Sequence, residues 1–203
     1  MLTGKRTTGD RGILLDVILP EYQFGEVHET LVCARPSETL RAAKEATPGE
    51  MPLVRLLFGV RSLPAIFSRR GGLPSEGRLP LWDQMLDFGF VFLGEDPSRE
   101  IAAGAIGQMW KPGGGTSPSV HGAREFAAFG EPGYARVAMN FSVEAEGDLT
   151  RLRTETRVHC TDAGAQRNFG LYWRMIQPGS AVIRRSWLHA AKRRAESAAG
   201  GAA

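Results

Sequence analysis

Two long alternating segments, 134–147 and 149–162, run directly into one amphipathic stretch, 163–197, and this order constrains the fold more than any other feature of the chain. The turn Glu146-Gly147-Asp148 joins the two segments as an antiparallel pair. A helix of such length, placed after an antiparallel run, lies across the sheet and closes one side of a cavity. On the first segment Ala135, Val137, Met139, Phe141 and Val143 share a face, with Arg136, Asn140, Ser142 and Glu144 on the other. That is the pattern of a sheet wet on one side. On the second segment Leu152, Thr154, Thr156, Val158 and Cys160 face one way and Arg151, Arg153, Glu155, Arg157 and His159 the other. Two hydroxyls therefore enter the inner face. In a solid core they need protein partners, whereas in a cavity they can bond water or ligand; threonine is also simply a good strand former.

Asp162 stands where an N-cap is needed, with a side-chain oxygen to accept from the first free amides of the helix. Behind it Phe169, Tyr172, Trp173, Ile176, Ile183 and Trp187 recur at close to the helical period, giving one apolar, aromatic face. Pro178 and Gly179 interrupt the middle and predict a kink.

Upstream, 22–34 reads as a strand with Val27, Glu29, Leu31 and Cys33 on one face and Glu26, His28 and Thr30 on the other. A short helix over 37–47 follows, then a second over 52–63 with Leu53, Leu56, Leu57 and Val60 at core spacing. The glycines, Pro74 and charges of 68–79 predict a loop, and 80–86 a brief helix. The segment FGFVFLGED and its neighbour over 99–110 form a hairpin, and 123–129 adds a short strand. Lys111-Pro112-Gly113-Gly114-Gly115 is a turn rather than a phosphate-binding loop, because no Lys-Ser/Thr pair follows it.

A length of 203 residues with 42% hydrophobic content suits one domain with a full core. The expected division is an N-terminal extension over 1–19, partly disordered, a domain over 20–195 and a disordered tail over 196–203. A net charge of +3 is a weak attractor for anions, and its excess sits in Arg184, Arg185, Lys192, Arg193 and Arg194, where a helix C-terminus favours cations. No nucleic-acid-binding signature accompanies it, so no nucleic-acid partner is expected. Cys33 and Cys160 fall about 30 Å apart if the first and last strands pair, too far for a disulfide. The apolar run ILLDVILP is too short to span a bilayer, so stable membrane insertion is not expected and the cytoplasm is the default location. His28, His121, His159 and His189 are scattered, with no ligand pair at close spacing, so neither a metal nor another cofactor is expected.

The stretches EPGYARVAMNF, RTETRVHCTD and FGLYWRMIQPGSAVIRRSWL resemble an uncharacterised bacterial branch of the START-like, or SRPBCC, superfamily of polyketide cyclases, aromatase domains and lipid-transfer proteins. The resemblance covers roughly residues 20 to 195. It implies an α+β helix-grip fold: a curved antiparallel sheet wrapped around a long C-terminal helix, with two short helices after the first strand. It also implies a pocket between sheet and helix, and members that range from carriers to enzymes.

From the residues themselves, the ligand contacts of such a pocket are expected from Met139, Phe141, Thr154, Thr156, Tyr172 and Ile176. The expected function is binding of a small hydrophobic, lipid-like or aromatic molecule, as carrier or sensor. Glu29, on the more apolar face of the first strand, and Tyr172 are the candidate acid and base for a cyclase-like or hydrolase-like alternative. A third alternative fills the cavity with side chains and leaves an interaction module. Glu155, Arg157 and His159 are expected to form cross-strand ion pairs with Glu26 or His28. The pattern leaves a homodimer open.

Overall fold

The computed structural model describes residues 12–54, 79–112 and 115–201. The helix expected over 52–63 is described only at 52–54, where Val54 is buried and Leu53, expected in the core, is exposed; the loop expected at 68–79 lies outside the described residues except for Leu79.

Five strands form one curved antiparallel sheet in the order β1-β5-β4-β3-β2. They are β1 (Phe24–Val32), β2 (Val91–Asp96), β3 (Glu100–Gly107), β4 (Ala135–Glu146) and β5 (Leu149–Cys160). Among the described residues five α-helices accompany them, besides a 3-10 turn at Pro48–Glu50 and the helical residues 52–54: α1 (Leu14–Ile18), α2 (Pro36–Glu45), α3 (Leu81–Asp87), α4 (Ala123–Ala128) and α5 (Ala163–Gly200). Together with the long α5 across the sheet, this is the helix-grip arrangement. The β4–β5 pairing is the long hairpin that the alternation of its two segments demands, with Met139 opposite Thr156 and Phe141 opposite Thr154.

Helix α5 starts where Asp162 caps it, its carboxylate accepting from Gly164 N at 2.6 Å and Ala165 N at 2.9 Å, and also from Gly133 N. The helix continues through Pro178 to Gly200, beyond the expected start of a disordered tail at 196. Its far end is fastened by its own charges: Lys192 donates to Leu31 O at 2.7 Å, Arg193 to Glu50 O at 2.7 Å, and Arg194 pairs with Glu50 at 3.0 Å. The cluster of cations that gives the chain its positive balance thus holds α5 against β1 and the turn after α2.

The inner face of the sheet packs on α2, α3 and α5, and the outer face at β2, β3 and β4 on α1 and α4. Residues 123–129, expected as a strand, instead form α4 followed by Phe129. The fully buried Phe126 explains it. The Phe126 ring lies so close to Gly104 that a Cβ there would meet it at 2.7 Å. The end of the expected N-terminal extension is also part of the folded body, because Leu15 and Leu19 are buried against Leu93, Ala102, Ile106 and Phe126.

Polar bonds tie α1 down. Arg157 donates to Glu155 at 2.7 Å, to Asp16 at 2.8 Å and to Leu19 O at 3.3 Å, while Glu100 accepts from Leu14 N at 2.7 Å and from Asn140 at 2.6 Å. Burial raises the Glu100 carboxyl above its ordinary range despite the bonds from Asn140 and Leu14. The cross-strand pairs expected between Glu155, Arg157 or His159 and Glu26 or His28 do not form. The two sets lie on opposite faces of the sheet, as the register Glu26 to Thr156 and Gly25 to Arg157 requires.

Candidate functional site

The register of β1 decides what lines the inner face. Phe24 stands opposite Val158, Glu26 opposite Thr156, His28 opposite Thr154 and Val32 opposite Thr150. Phe24 packs its ring on Phe169, with centroids 5.3 Å apart, and Val32 is fully buried against α2 and α5. These two apolar anchors share parity with Glu26 and His28, so the polar pair is carried inward with them. Val27 and Leu31 are left on the outer face, 45% and 41% exposed. Glu29, the candidate acid or base, goes outward too, where it accepts from Arg151 at 2.7 Å in an exposed ion pair. It stands on the outer face, not on the inner face from which its expected role was argued.

Across the inner face the side chains run in rows. Val137, Val158 and Phe24 form one row, then Met139, Thr156 and Glu26, then Phe141, Thr154 and His28. Helix α5 meets the ends of this surface through two separate clusters. Its first turns bring Phe169, Tyr172 and Trp173 onto Val158, Ala135 and Phe24, with the Phe169 and Trp173 rings stacked at 5.9 Å. Its later turns bring Trp187, Leu188 and Ala191 onto Phe141, Leu152 and Val32, and Trp187 Nε1 donates to Ala43 O at 2.8 Å. Between them, from Arg174 to Ser186, no residue of the helix is fully buried, and Pro178 lies in this stretch.

Opposite this stretch the sheet presents its polar row. Glu26 and His28 side chains are only 7% and 13% exposed, with His28 Nε2 hydrogen-bonded to Glu26 Oε1. From the helix, Arg184 turns its guanidinium inward to within 2.7 Å of Met139 Sδ. Burial pushes its pKa down to about 10, opposed by the attraction of Glu26. Two buried polar atoms have no hydrogen-bond partner among the described residues on this interface: Glu26 Oε2 and Tyr172 Oη. Burial also pushes the Tyr172 hydroxyl well above its ordinary pKa, so it stays protonated at neutral pH.

The six expected contact residues all belong to the sheet–helix interface, but they are divided. Met139 and Phe141 sit in the cluster with Trp187, while Tyr172 and the partly buried Ile176 sit with Phe169 and Trp173. The Phe141 ring is held between Trp82 and Trp187, with centroids 6.2 and 4.9 Å away. The Thr154 hydroxyl donates to Asn140 O at 2.8 Å and is spent on the sheet itself. Glu26, His28 and Arg184 were missed by sequence reasoning. The parity of Phe24 and Val32 was the available signal for the first two. For Arg184 it was the spacing 173, 176, 180, 184, 187, which places it on the apolar stripe of α5. A separate surface groove of about 360 Å³ lies beside α2, lined by Ser37, Arg41, Lys44 and Glu95, and the Lys44–Glu95 ion pair at 2.6 Å spans it.

The sequence matches no family model and no curated protein. Among solved structures the chain is similar to hypothetical protein jhp0584 from Helicobacter pylori, at 10% identity over 95% of this chain and 99% of that one, with a TM-score of 0.39. It is also similar to Ara h 8.0201, at 9% identity over 86% and 98% with a TM-score of 0.32. A third is TTHA0849 from Thermus thermophilus, at 12% identity over 86% and 99% with a TM-score of 0.30. Overlaps of this size carry no function, and the helix-grip description rests on the sheet order and α5. Among the described residues no helix is long and apolar enough to cross a membrane, and no group of three or more His, Cys, Asp or Glu is placed to hold a metal ion.

Proposed function

We propose that the protein binds a small, mainly apolar molecule, lipid-like or aromatic, between the inner face of the sheet and the middle of α5, as a carrier or sensor. The observation that carries this reading is a pair of partnerless buried atoms on the sheet–helix interface, Glu26 Oε2 in the polar row and Tyr172 Oη in the aromatic cluster at the start of α5. Buried polar groups in folded proteins are nearly always hydrogen-bonded, so these two, of the six partnerless ones among the described residues, are where a molecule bound at the sheet–helix interface would find bonds to make. The rings of Phe24, Phe169 and Trp173 supply the apolar area that drives such binding. Contacts from Thr156, Tyr172 and Ile176 fit this reading, whereas Met139, Phe141 and Thr154 are already engaged within the protein, Met139 by the Arg184 guanidinium.

Native mass spectrometry of freshly purified protein tests it, together with titration by Nile red, a neutral dye whose emission reports an apolar environment. A co-purifying small molecule or saturable dye binding is expected. Thr156→Val should leave the fold intact and change affinity for a polar-headed ligand, because the exchange keeps shape and removes a hydroxyl. Protein that carries nothing through purification and leaves the dye unchanged would sink the reading in favour of a filled interaction module.

A further inference from the structure

The cations of α5 divide by what they do. Lys192, Arg193 and Arg194 fasten the far end of the helix, and Arg184 turns inward to Met139. Arg167, Arg174 and Arg185 are left, and all three are exposed. Arg174 and Arg185 make no hydrogen bond or ion pair among the described residues, and α5 carries no Asp or Glu before Glu196. Arg167 lies in the field of Asp162, but that carboxylate is already bonded to the amides of Gly164, Ala165 and Gly133.

Apolar side chains stand between these arginines. Arg167, Leu171, Arg174, Pro178, Val182 and Arg185 follow one another at spacings of four or three, which sets them along one line of the helix. That line is opposite Phe169, Trp173 and Trp187, which pack on the sheet. Leu171 is 68% exposed, and Met175, one turn further on, is 65% exposed. Scattered apolar residues on a surface need no explanation. Here two large ones lie a turn apart on a line edged with unpaired positive charge, so α5 is amphipathic on its outer side as well as its inner one.

We infer that this outer face of α5 docks on an anionic phospholipid membrane. The helix lies in the headgroup layer, with Leu171 and Met175 dipping to the acyl boundary and Arg167, Arg174 and Arg185 on the lipid phosphates. Charge complementarity selects the occupant. A nucleic acid or an acidic peptide would take the arginines and leave the leucine and methionine in water, whereas an anionic membrane takes both. Arginine suits the edge of such a face, because its stem covers apolar surface while its head reaches a phosphate. The contact lies on the membrane and needs no spanning segment. It goes beyond the ligand reading above and does not depend on it.

Co-sedimentation of the full chain with phosphatidylcholine vesicles, plain or with about one third phosphatidylserine, tests the inference at low salt. We expect at least about tenfold tighter binding to the anionic vesicles, since each arginine near such a surface contributes about fivefold. Arg174→Gln with Arg185→Gln should weaken that binding about tenfold or more. Leu171→Ser with Met175→Ser should weaken it at least about fivefold by removing the inserted apolar area. All four positions are exposed, and circular dichroism checks the fold; the wild-type comparison needs no variant at all. Equal binding to the two kinds of vesicle, or binding to neither, overturns the inference and leaves the ligand reading to its own test. Anionic selectivity that survives the arginine pair puts the contact elsewhere and also overturns it. If a duplex DNA fragment or polyglutamate binds the chain and the Leu171 and Met175 changes leave vesicle binding as it was, the face is a plain polyanion site and the inference falls.

Discussion

Single side chains in this protein are decided by which face of a strand they occupy. Glu29 and Glu26 are three residues apart on β1, yet one lies in a solvent-exposed ion pair with Arg151 and the other is sealed against α5 with an oxygen unpaired. Composition favours Glu29 for the inner face, because Val27, Leu31 and Cys33 make its side of the strand look apolar. Phe24 and Val32, at the two ends of the strand, outweigh them because they alone meet large partners, Phe169 and the α2 cluster. The Tyr172 hydroxyl offers a test at this scale. Its ring is buried with Phe169 while its oxygen has no partner among the described residues. Tyr172→Phe removes a desolvated polar atom and keeps the ring, so the ligand-free protein should be stabilised by about 1 kcal/mol in urea unfolding. A loss of that size instead would show that the hydroxyl is bonded in the free protein.

Among the elements, α5 was the most legible and the segment 123–129 the least. A long apolar stripe after a natural cap specifies a helix whatever surrounds it, and Asp162 caps it as the residue type leads one to expect. Six residues with one buried phenylalanine specify little, and contact with Gly104 makes them α4. The cap also carries a pH dependence. Backbone bonds from Ala165 and Gly133 hold the Asp162 carboxyl below its ordinary range. A carboxylate with a depressed folded pKa stabilises the protein above its unfolded pKa of about 4 and loses that contribution as pH falls through the lower folded value. Asp162→Ala should therefore unfold at lower urea than the parent at pH 7. The gap should shrink as both are acidified below about pH 4. A gap that stays constant with pH would mean that the charge plays no part.

At the scale of the whole molecule, the sheet is a partition with different contents on its two sides, and the N-terminal stretch closes the outer one. Leu15 and Leu19 are buried there, and Asp16 pairs with Arg157. Deleting residues 1–19 should cost at least about 3 kcal/mol, since it re-exposes two core leucine sites and removes one of the two carboxylates paired with Arg157. A deletion variant as stable as the parent in chemical unfolding would show that the domain begins at 20, as its composition suggests. Taken alone, the sequence determined the strand–helix order, the β4–β5 hairpin and the capped α5, because each is written in a local period of two or near four that a window of ten or so residues contains. It also delivered the inner-face threonines and Tyr172 to the sheet–helix interface. Only the tertiary structure decided the phase of β1, the burial of Glu26, His28 and Arg184 and the place of α1. Each depends on a partner more than a hundred residues away, such as Thr156 opposite Glu26 or Arg157 against Asp16. A one-residue choice of parity, invisible to the strand's own composition, exchanges everything that faces the helix for everything that faces water.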